Sequence, residues 1–314
     1  MSVDTAAPPA APSGPGRRFW DRLPESVDRR IRVFAWLSFI AEVTIIATGG
    51  AVRLTGSGLG CSEWPLCTPD SLVPTEDMGI HGVIEFGNRT MTGVVGLLAL
   101  AVLVLVLRIR AERRDLFVLA SVVVGGVVAQ AIVGGITVWT GLNPFVVGFH
   151  YTASLLLVCV TAAFLVRAYD RPGPRTRAVP TWFAVLTHIT TLALAATIFF
   201  GVLTTGNGPH SGDANVVRDG FDATLLAHIH AWPGYILLGL VLVMLIAAWA
   251  LHLPPRRWLI ALLAALAVQV FVGVWQAREG LPELLVGIHM VLAALSAAAF
   301  TVVVLRLKRP VSGS

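Results

Sequence analysis

The sequence predicts an all-α integral membrane protein with eight transmembrane helices, arranged as two pseudo-symmetric four-helix bundles. Three observations predict this fold class: the apolar composition, eight long apolar segments and an internal repeat. Of the 314 residues, 56% are hydrophobic and 13% are charged, and the mean hydropathy is +0.78. A soluble domain of this size could not enclose so much apolar surface, so a lipid bilayer must cover part of it.

Eight apolar segments are each long enough to cross the hydrocarbon core, which takes about 20 helical residues. Backbone polar groups cannot stay unpaired in lipid, and these runs lack the alternating pattern of barrel strands, so each segment is predicted to be a helix. The predicted spans are 32–53, 80–107, 116–139, 146–166, 180–204, 224–251, 258–277 and 284–305.

The second half of the chain repeats features of the first. A shift of 139 residues places QAIVGGITVWTGLNPFVVGFH (130–150) on QVFVGVWQAREGLPELLVGIH (269–289). The first and fifth predicted helices also end alike, in GAVRLTGSG (50–58) and GVLTTGNG (201–208). Because four spans separate the copies, both halves should enter the membrane from the same side. The chain accordingly divides into a tail, two halves and a second tail, with the bounds 1–31, 32–169, 170–306 and 307–314.

The basic residues lie mainly on one side of the predicted membrane. If residues 1–31 are cytoplasmic, 19 of the 23 Lys and Arg residues fall on inner helix ends and loops. The outer segments hold Arg53, Arg218 and Arg278, and Arg89 lies inside a helix. The positive-inside rule therefore predicts a multi-pass protein of the plasma (inner) membrane with both termini in the cytoplasm. A nucleic-acid patch would not need this sorting, so despite the net charge of +5 we expect the lipid bilayer and no nucleic acid as a partner.

The N-terminal tail has two parts. The first 16 residues are rich in Ala, Pro, Ser and Gly and are expected to be disordered, and the residues after them are basic. No cleavable signal is evident, because the first apolar run is long enough to span and no small-residue cleavage site follows it.

Three cysteines are distributed between a loop and a helix. Cys61 and Cys67 lie in the first outer loop, where an oxidising compartment permits a disulfide, although two free thiols are the alternative. Cys159 lies in the middle of the fourth helix and is expected to be a small packing residue.

Polar and ionisable residues inside a bilayer are costly, so each of them is a candidate for function. Those near the outer surface lie on the even-numbered helices: His81, Glu85, Asn88 and Arg89 on one face of the second, His150 on the fourth, His228 and His230 on the sixth, and His289 on the eighth. All lie within about two turns of the outer helix ends, at about 1.5 Å per residue, so their side chains can meet.

Imidazole is the usual axial ligand of heme iron, and a bundle can clamp a porphyrin between facing helices. A single histidine of this kind is more often a core residue bonded to a neighbour. His150 and His289 at equivalent repeat positions, with further histidines at matching depth, favour heme ligation instead. A sixth-helix histidine opposite His289 would give a bis-histidine site.

The charged residues of this layer have two interpretations each. Glu85 takes part in catalysis or proton handling, or it forms a structural pair with Arg89 one turn away. Arg53 and Arg89 are natural partners for heme propionates, and Arg53 could instead extend toward the membrane surface. The sequence gives Glu42 no role.

Three further histidines lie outside this layer. His188 is toward the inner half of the fifth helix and is expected to be an ordinary core residue. His210 and His252 fall in predicted loops and are expected to be solvated. None of the three is a predicted ligand.

At these residues the sequence resembles the heme A synthase family, and the similarity extends over about 32–306. The motifs that carry it are GGAVRLTGSGLGCSEWPLC (49–67), IEFGNR (84–89), VVGFH (146–150) and LLVGIH (284–289). Members of that family are described as eight-helix proteins of two pseudo-symmetric four-helix halves. They oxidise the C8 methyl group of heme O to the formyl group of heme A by successive hydroxylations.

The resemblance implies a cofactor, a substrate and a set of site residues. Heme b would be held in the C-terminal half by His230 and His289, and heme O would bind in the N-terminal half with His150 and leave as heme A. Glu85 would take part in catalysis, and the two loop cysteines would form a disulfide. A protoheme farnesyltransferase would supply heme O, and association with cytochrome oxidase assembly factors or with further copies of the chain stays open.

One position departs from the family pattern. Many members read Glu-x-x-His-Arg, whereas this sequence reads Glu85-Phe-Gly-Asn88-Arg89. Because Asn is a poor iron ligand, the substrate heme is expected to be bound through His150 alone, with Asn88 as a pocket residue, or with His81 as the opposite ligand. On the sixth helix, the residues that follow His230 fit the family position better than those that follow His228.

Two other functions are compatible with parts of this pattern. A diheme electron-transfer protein of the cytochrome b type would explain the histidines, but it would favour two symmetric bis-histidine sites rather than Asn88 with Glu85. A heme transporter would explain the repeat, but transporters commonly place their polar groups near the membrane midplane rather than in its outer third.

Overall fold

The computed structural model describes residues 15–210, 212–213, 216, 220 and 222–311. Within these residues, eight helices are long and apolar enough to cross a membrane, as predicted. Each observed bound lies within three residues of the predicted one. The eight helices are α2 (Arg29–Leu54), α3 (Gly79–Val106), α4 (Arg114–Trp139), α5 (Pro144–Tyr169), α6 (Thr181–Asn207), α7 (Ala223–Ala250), α8 (Arg256–Arg278) and α9 (Glu283–Leu305).

The predicted tail 1–31 contains a short helix that the sequence did not predict, α1 (Pro15–Arg22). The prediction of disorder falls mostly on residues 1–14, which lie outside the described residues, as do Arg218 and residues 312–314. A 3-10 turn at Glu76–Met78 leads into α3.

Side-chain caps fix the starts of several spans. Asp28 accepts a hydrogen bond from the Ile31 N–H at the start of α2, and Asp222 accepts from two N–H groups at the start of α7. Asn143 does the same for α5, where Pro144 takes the first helical position. Such caps satisfy N–H groups that have no partner inside the helix.

Each half is a four-helix ring. Helix α2 packs on α3, α3 on α4, α4 on α5 and α5 back on α2, and α6 to α9 follow the same order with a looser contact between α6 and α9. The second and fourth helices of each half are therefore diagonal to each other. The halves meet where α9 packs on α2 and α5 and where α6 packs on α5.

Small residues allow close approach where the halves meet. A Cβ on Gly50 would lie 3.5 Å from the Met290 sulfur, and one on Gly287 would lie 3.3 Å from a Leu54 methyl group. Ala294 and Ala298 are buried in the same contact region. Helices in lipid associate through such van der Waals packing, because apolar burial alone gives no preference for protein over lipid.

The predicted repeat has local counterparts in the structure. Gln130 donates to the His150 carbonyl at 2.7 Å, and Gln269 donates to the His289 carbonyl at 3.0 Å. The turns before α5 and α9 match too: Leu142 and Leu281 both adopt positive φ values, 59° and 65°. Pseudo-symmetry of the two whole halves stays a prediction.

At the end of the molecule opposite the histidines, the segment that links the two halves is fastened to the end of the last span. Strand β1 (Arg175–Arg177), which follows α5, pairs antiparallel with β2 (Lys308–Pro310), which follows α9. Asp170 forms ion pairs of 2.8 Å with both Arg175 and Arg306. The link between the halves and the end of the last span are thereby held together.

Candidate functional site

His230 of α7 and His289 of α9 face each other across the C-terminal half. Their ring centroids are 6.2 Å apart, with an angle of 80° between the ring planes. Both rings are half-buried, and α7 and α9 lie diagonally in the four-helix ring. The sequence predicted this pair, and the tertiary structure brings it together.

The spacing suits two imidazoles that share one iron atom. A metal–nitrogen bond is about 2 Å long and the ring centre lies about 1 Å behind the nitrogen, so two such rings have centroids about 6 Å apart. His230 donates from Nδ1 to the Thr197 carbonyl at 2.9 Å, which leaves Nε2 free to bind a metal. The Nδ1 atom of His289 is buried without a hydrogen-bond partner among the described residues. This histidine pair fits a heme.

His228 is placed differently from His230. Its side chain is exposed, and its Nδ1 donates to the Thr224 carbonyl of its own helix at 2.8 Å. The structure therefore brings His230 rather than His228 to His289.

In the N-terminal half, His150 lies against α4. A Cβ on Gly134 would be 3.5 Å from His150 Cε1, so the ring packs over the position where α4 has no side chain. The Nδ1 atom of His150 is buried and lacks a hydrogen-bond partner among the described residues. Such an unsatisfied buried nitrogen is costly unless a ligand or solvent completes the site.

Asn88 is held by the neighbouring helix. The Thr48 hydroxyl of α2 donates to Asn88 Oδ1 at 2.7 Å, and Gly49 lies beside the same oxygen. His81 lies about two turns nearer the start of α3, where its Nδ1 is 2.9 Å from the Ser57 hydroxyl.

Glu85 is buried and both of its carboxylate oxygens have partners. Oε1 pairs with Arg89 at 2.6 Å, and Oε2 accepts the backbone N–H of Cys61 at 2.6 Å. Arg89 also donates to the carbonyls of Cys61, Glu63 and Leu66. The Glu85–Arg89 pair, one of the two interpretations of the sequence, thus exists, and it fastens the loop that contains Cys61 to α3.

That loop is closed by a Cys61–Cys67 disulfide, as expected. Trp64 between the two cysteines lies directly against Gly135 of α4, and its ring meets that of Trp139 edge to face with centroids 5.4 Å apart. The loop therefore contacts both α3 and α4 at the histidine end of the N-terminal half.

Arg53 and His210 join the two halves at the end that carries the histidines, a role that the sequence did not predict. Arg53 donates to the carbonyls of Thr205 and His210, and His210 Nε2 donates to the Leu281 carbonyl at 2.7 Å. The expectation that His210 is merely solvated is wrong, because its ring is half-buried and bonded to the Leu281 carbonyl of the same half. Its position in a Gly-rich loop gave no sign of this contact.

Two buried features lie away from the histidines. Glu42 of α2 is 2% exposed and its Oε1 has no hydrogen-bond partner among the described residues. A cavity of about 10 Å³, the size of one water molecule, is lined by residues that include Ser38 and Thr161.

His188, expected in the core, is instead exposed on the outside of the helix bundle.

Known proteins share these features of sequence. Residues 32–211 match the COX15-CtaA family of cytochrome oxidase assembly proteins. The heme A synthase of Exiguobacterium sibiricum is 30% identical over 165 residues, which cover 52% of this chain and 54% of that protein. The heme A synthase of Lysinibacillus sphaericus is 32% identical over 130 residues, 41% of this chain and 42% of that protein.

A third relative, the heme A synthase of Listeria welshimeri, is 28% identical over 144 residues, 45% of this chain and 47% of that protein. The chain thus spans about half the length of the curated relatives it matches. The family match is longer and covers more than half of the chain. The chain is a multi-pass membrane protein that belongs to the COX15-CtaA family of cytochrome oxidase assembly proteins.

Proposed function

We propose that this protein is a heme A synthase, an oxidoreductase that oxidises the C8 methyl group of heme O to the formyl group of heme A by successive hydroxylations. The observation that carries the proposal is the difference between the halves. In the C-terminal half, the ring centroids of two histidines lie 6.2 Å apart, whereas the N-terminal half holds His150 and a buried acid, Glu85. A resident cofactor would occupy the first site and the reacting substrate the second.

His230 and His289 would hold heme b in the C-terminal half. When bound, heme b supplies a path for electrons to and from the substrate site. The Thr197 carbonyl keeps the His230 ring oriented through Nδ1, and Gln269 fixes the backbone at His289. These contacts would preorganise the pair for one metal.

In the N-terminal half, His150 would hold the substrate and Glu85 would act on it. The Glu85 carboxylate can accept a proton at Oε1 or Oε2, since each oxygen keeps a second lone pair, or it can stabilise positive charge that develops nearby. The disulfide loop would limit the access of water to this site. Arg53 and Arg89 are the proposed partners of the propionates, and each already donates to backbone carbonyls.

The proposed setting is the plasma membrane, with both termini in the cytoplasm and both sites in the outer third of the bilayer. Heme O would come from a membrane-bound protoheme farnesyltransferase, and heme A would serve cytochrome oxidase biogenesis. Contacts with oxidase assembly factors and a homo-oligomer belong to the same proposal and are open to pull-down and native mass measurements.

The decisive experiment co-expresses the protein with a protoheme farnesyltransferase in a host that lacks heme A, and then separates the extracted hemes by chromatography with mass detection. Heme A or its hydroxylated intermediate should appear with the unmodified chain and vanish with Glu85→Ala. The matched control is Glu42→Gln, which alters the other buried acid of the N-terminal half and should keep heme A formation.

Heme-loaded, well-folded protein that leaves heme O unchanged would contradict this proposal. An electron-transfer protein of the cytochrome b type would then be the better interpretation, because it carries hemes without modifying them. A protein that purifies without tightly held low-spin heme would favour transport instead.

A further inference from the structure

The ring order of the helices identifies the residue opposite His150. In the C-terminal half, His230 and His289 lie on the second and fourth helices of the ring and meet across its diagonal. In the N-terminal half, the second and fourth helices are α3 and α5, and α5 carries His150. If the two halves are arranged alike, the residue that faces His150 comes from α3.

Depth along α3 favours Asn88 over His81. His230 lies seven residues after the start of α7, about 10 Å along the axis at 1.5 Å per residue. Asn88 lies nine residues after the start of α3, and His81 only two. Asn88 is therefore about 3 Å from the depth that corresponds to His230, whereas His81 is about 7.5 Å away.

The neighbouring glycines give an independent indication. Gly201, near the outer end of α6, faces the ring of His230, and Gly49, near the outer end of α2, faces the side chain of Asn88. The first helix of each half thus leaves room for a polar side chain of the second helix. In the C-terminal half that side chain is an imidazole, and in the N-terminal half it is a carboxamide.

Thr48 determines which end of the carboxamide is available. Its hydroxyl donates to Asn88 Oδ1 at 2.7 Å, so the oxygen is engaged with α2. The hydrogen bonds of the described residues include none from Asn88 Nδ2. The amide N–H groups are thus donors without a protein acceptor in this part of the chain.

We propose that Asn88 leaves the iron face opposite His150 open and donates an amide hydrogen bond to a small diatomic ligand, such as carbon monoxide or dioxygen, bound on that face. This inference rests on the proposed function, because it takes the substrate heme to be bound through His150. Asn88 is then a positioning residue for the small ligand, and Thr48 orients it. His81 lies too near the start of α3 to be the iron ligand in this proposal.

Carbon monoxide tests the inference in the purified, heme-loaded protein. A bis-histidine heme does not bind carbon monoxide readily, so the difference spectrum of the reduced protein reports the N-terminal site alone. The unmodified protein should bind carbon monoxide at this site. Asn88→His should supply a second imidazole, reduce carbon monoxide binding at least about tenfold and add a low-spin heme signal.

Two further variants separate the open face from the hydrogen bond. Asn88→Leu should keep carbon monoxide binding but raise the C–O stretching frequency, because a donor next to the bound oxygen lowers that frequency. Thr48→Val should broaden or split the C–O band, because the carboxamide loses its fixed orientation. His81→Ala is the matched control and should change none of these signals, and the low-spin signal of the C-terminal heme reports that each variant is folded.

The inference is overturned if the N-terminal heme of the unmodified protein is low-spin and unreactive to carbon monoxide, or becomes reactive only in His81→Ala. An unchanged C–O frequency in Asn88→Leu would overturn the donor role. These results are independent of heme A formation. A carbon monoxide-reactive site in a protein that never converts heme O would reject the proposed function and keep the inference.

Discussion

The backbone N–H of Cys61 donates a 2.6 Å hydrogen bond to the buried carboxylate of Glu85, across 24 positions of sequence. The other carboxylate oxygen pairs with Arg89, which in turn donates to three carbonyls of the same loop. The acid that we propose to act on the substrate is therefore positioned by the disulfide loop as well as by its own helix.

Removal of the disulfide should loosen this acid. In Cys61→Ser/Cys67→Ser, the local free energy of opening of the loop should fall by about 2 kcal/mol, the loop-closure entropy of so short a ring. Hydrogen exchange of the Cys61-position amide should accelerate and heme A formation should fall. The low-spin spectrum of the His230–His289 site should stay unchanged, and unaltered exchange in the loop would refute the coupling.

Removal of Arg89 should leave a buried charge without its partner. The side chains of Arg89 and Glu85 are 19% and 7% exposed, so Arg89→Ala should cost about 3 kcal/mol of unfolding free energy. Thermal melting in detergent measures the loss.

A second variant tests whether the unpaired charge of Glu85 causes the loss of stability in Arg89→Ala. Glu85→Gln in the Arg89→Ala background should recover part of the lost stability, since a neutral amide can still accept the Cys61 N–H. The double variant should form no heme A. A double variant no more stable than Arg89→Ala would show that the lost carbonyl contacts, rather than the unpaired charge, account for the effect.

A glycine series should report how tightly each histidine ring is packed. A Cβ on Gly201 would lie 2.8 Å from His230 Cε1, and one on Gly273 would lie 3.0 Å from His289 Cε1. Gly201→Ala and Gly273→Ala should therefore displace a ring and weaken the low-spin heme signal. Gly239→Ala, with nothing within 4 Å of its Cβ, is the control on α7.

Gly239→Ala should leave the unfolding free energy unchanged or raise it, because Ala exceeds Gly in helix propensity by about 1 kcal/mol. Gly134→Ala should have the mildest effect of the three histidine neighbours, since its Cβ would make an ordinary 3.5 Å contact with His150. A Gly239→Ala variant as damaging as Gly201→Ala would mean that ring displacement is not the cause. Electron paramagnetic resonance of the oxidised protein distinguishes these outcomes.

The two ion pairs of Asp170 should matter for stability although they lie far from the histidines. The Asp170 side chain is 10% exposed, and those of Arg175 and Arg306 are 12% and 28% exposed. Asp170→Asn should lower the unfolding free energy by about 2 kcal/mol. Heme spectra should stay unchanged.

Glu25→Gln is the matched control for Asp170→Asn. Glu25 pairs with Arg108 at 2.6 Å, but its side chain is 76% exposed, so water screens the pair. Its melting temperature should match that of the unmodified protein. Equal losses of stability in the two variants would indicate that the removal of one negative charge, and not the burial of the Asp170 ion pairs, causes the effect.

The local sequence was sufficient to predict the membrane spans and the candidate site residues within them. Apolar segments of sufficient length predicted α2 to α9 to within three residues. The repeat predicted His150 and His289 at equivalent places, and the structure gives each the same contact with a glutamine of the preceding helix. The helix α1 was missed because it lies among charged residues without an apolar span.

The sequence by itself determined the membrane class, the eight helices, the disulfide candidates and the histidines worth testing, because hydrophobic length and spacing along one chain decide these features. Only the tertiary structure decided that His230 rather than His228 meets His289, that Glu85 is held by Cys61, and that Arg53 and His210 join the two halves. These contacts join residues up to 157 positions apart. They depend on how the helices rotate and pack against one another, and helix periodicity alone does not fix that packing.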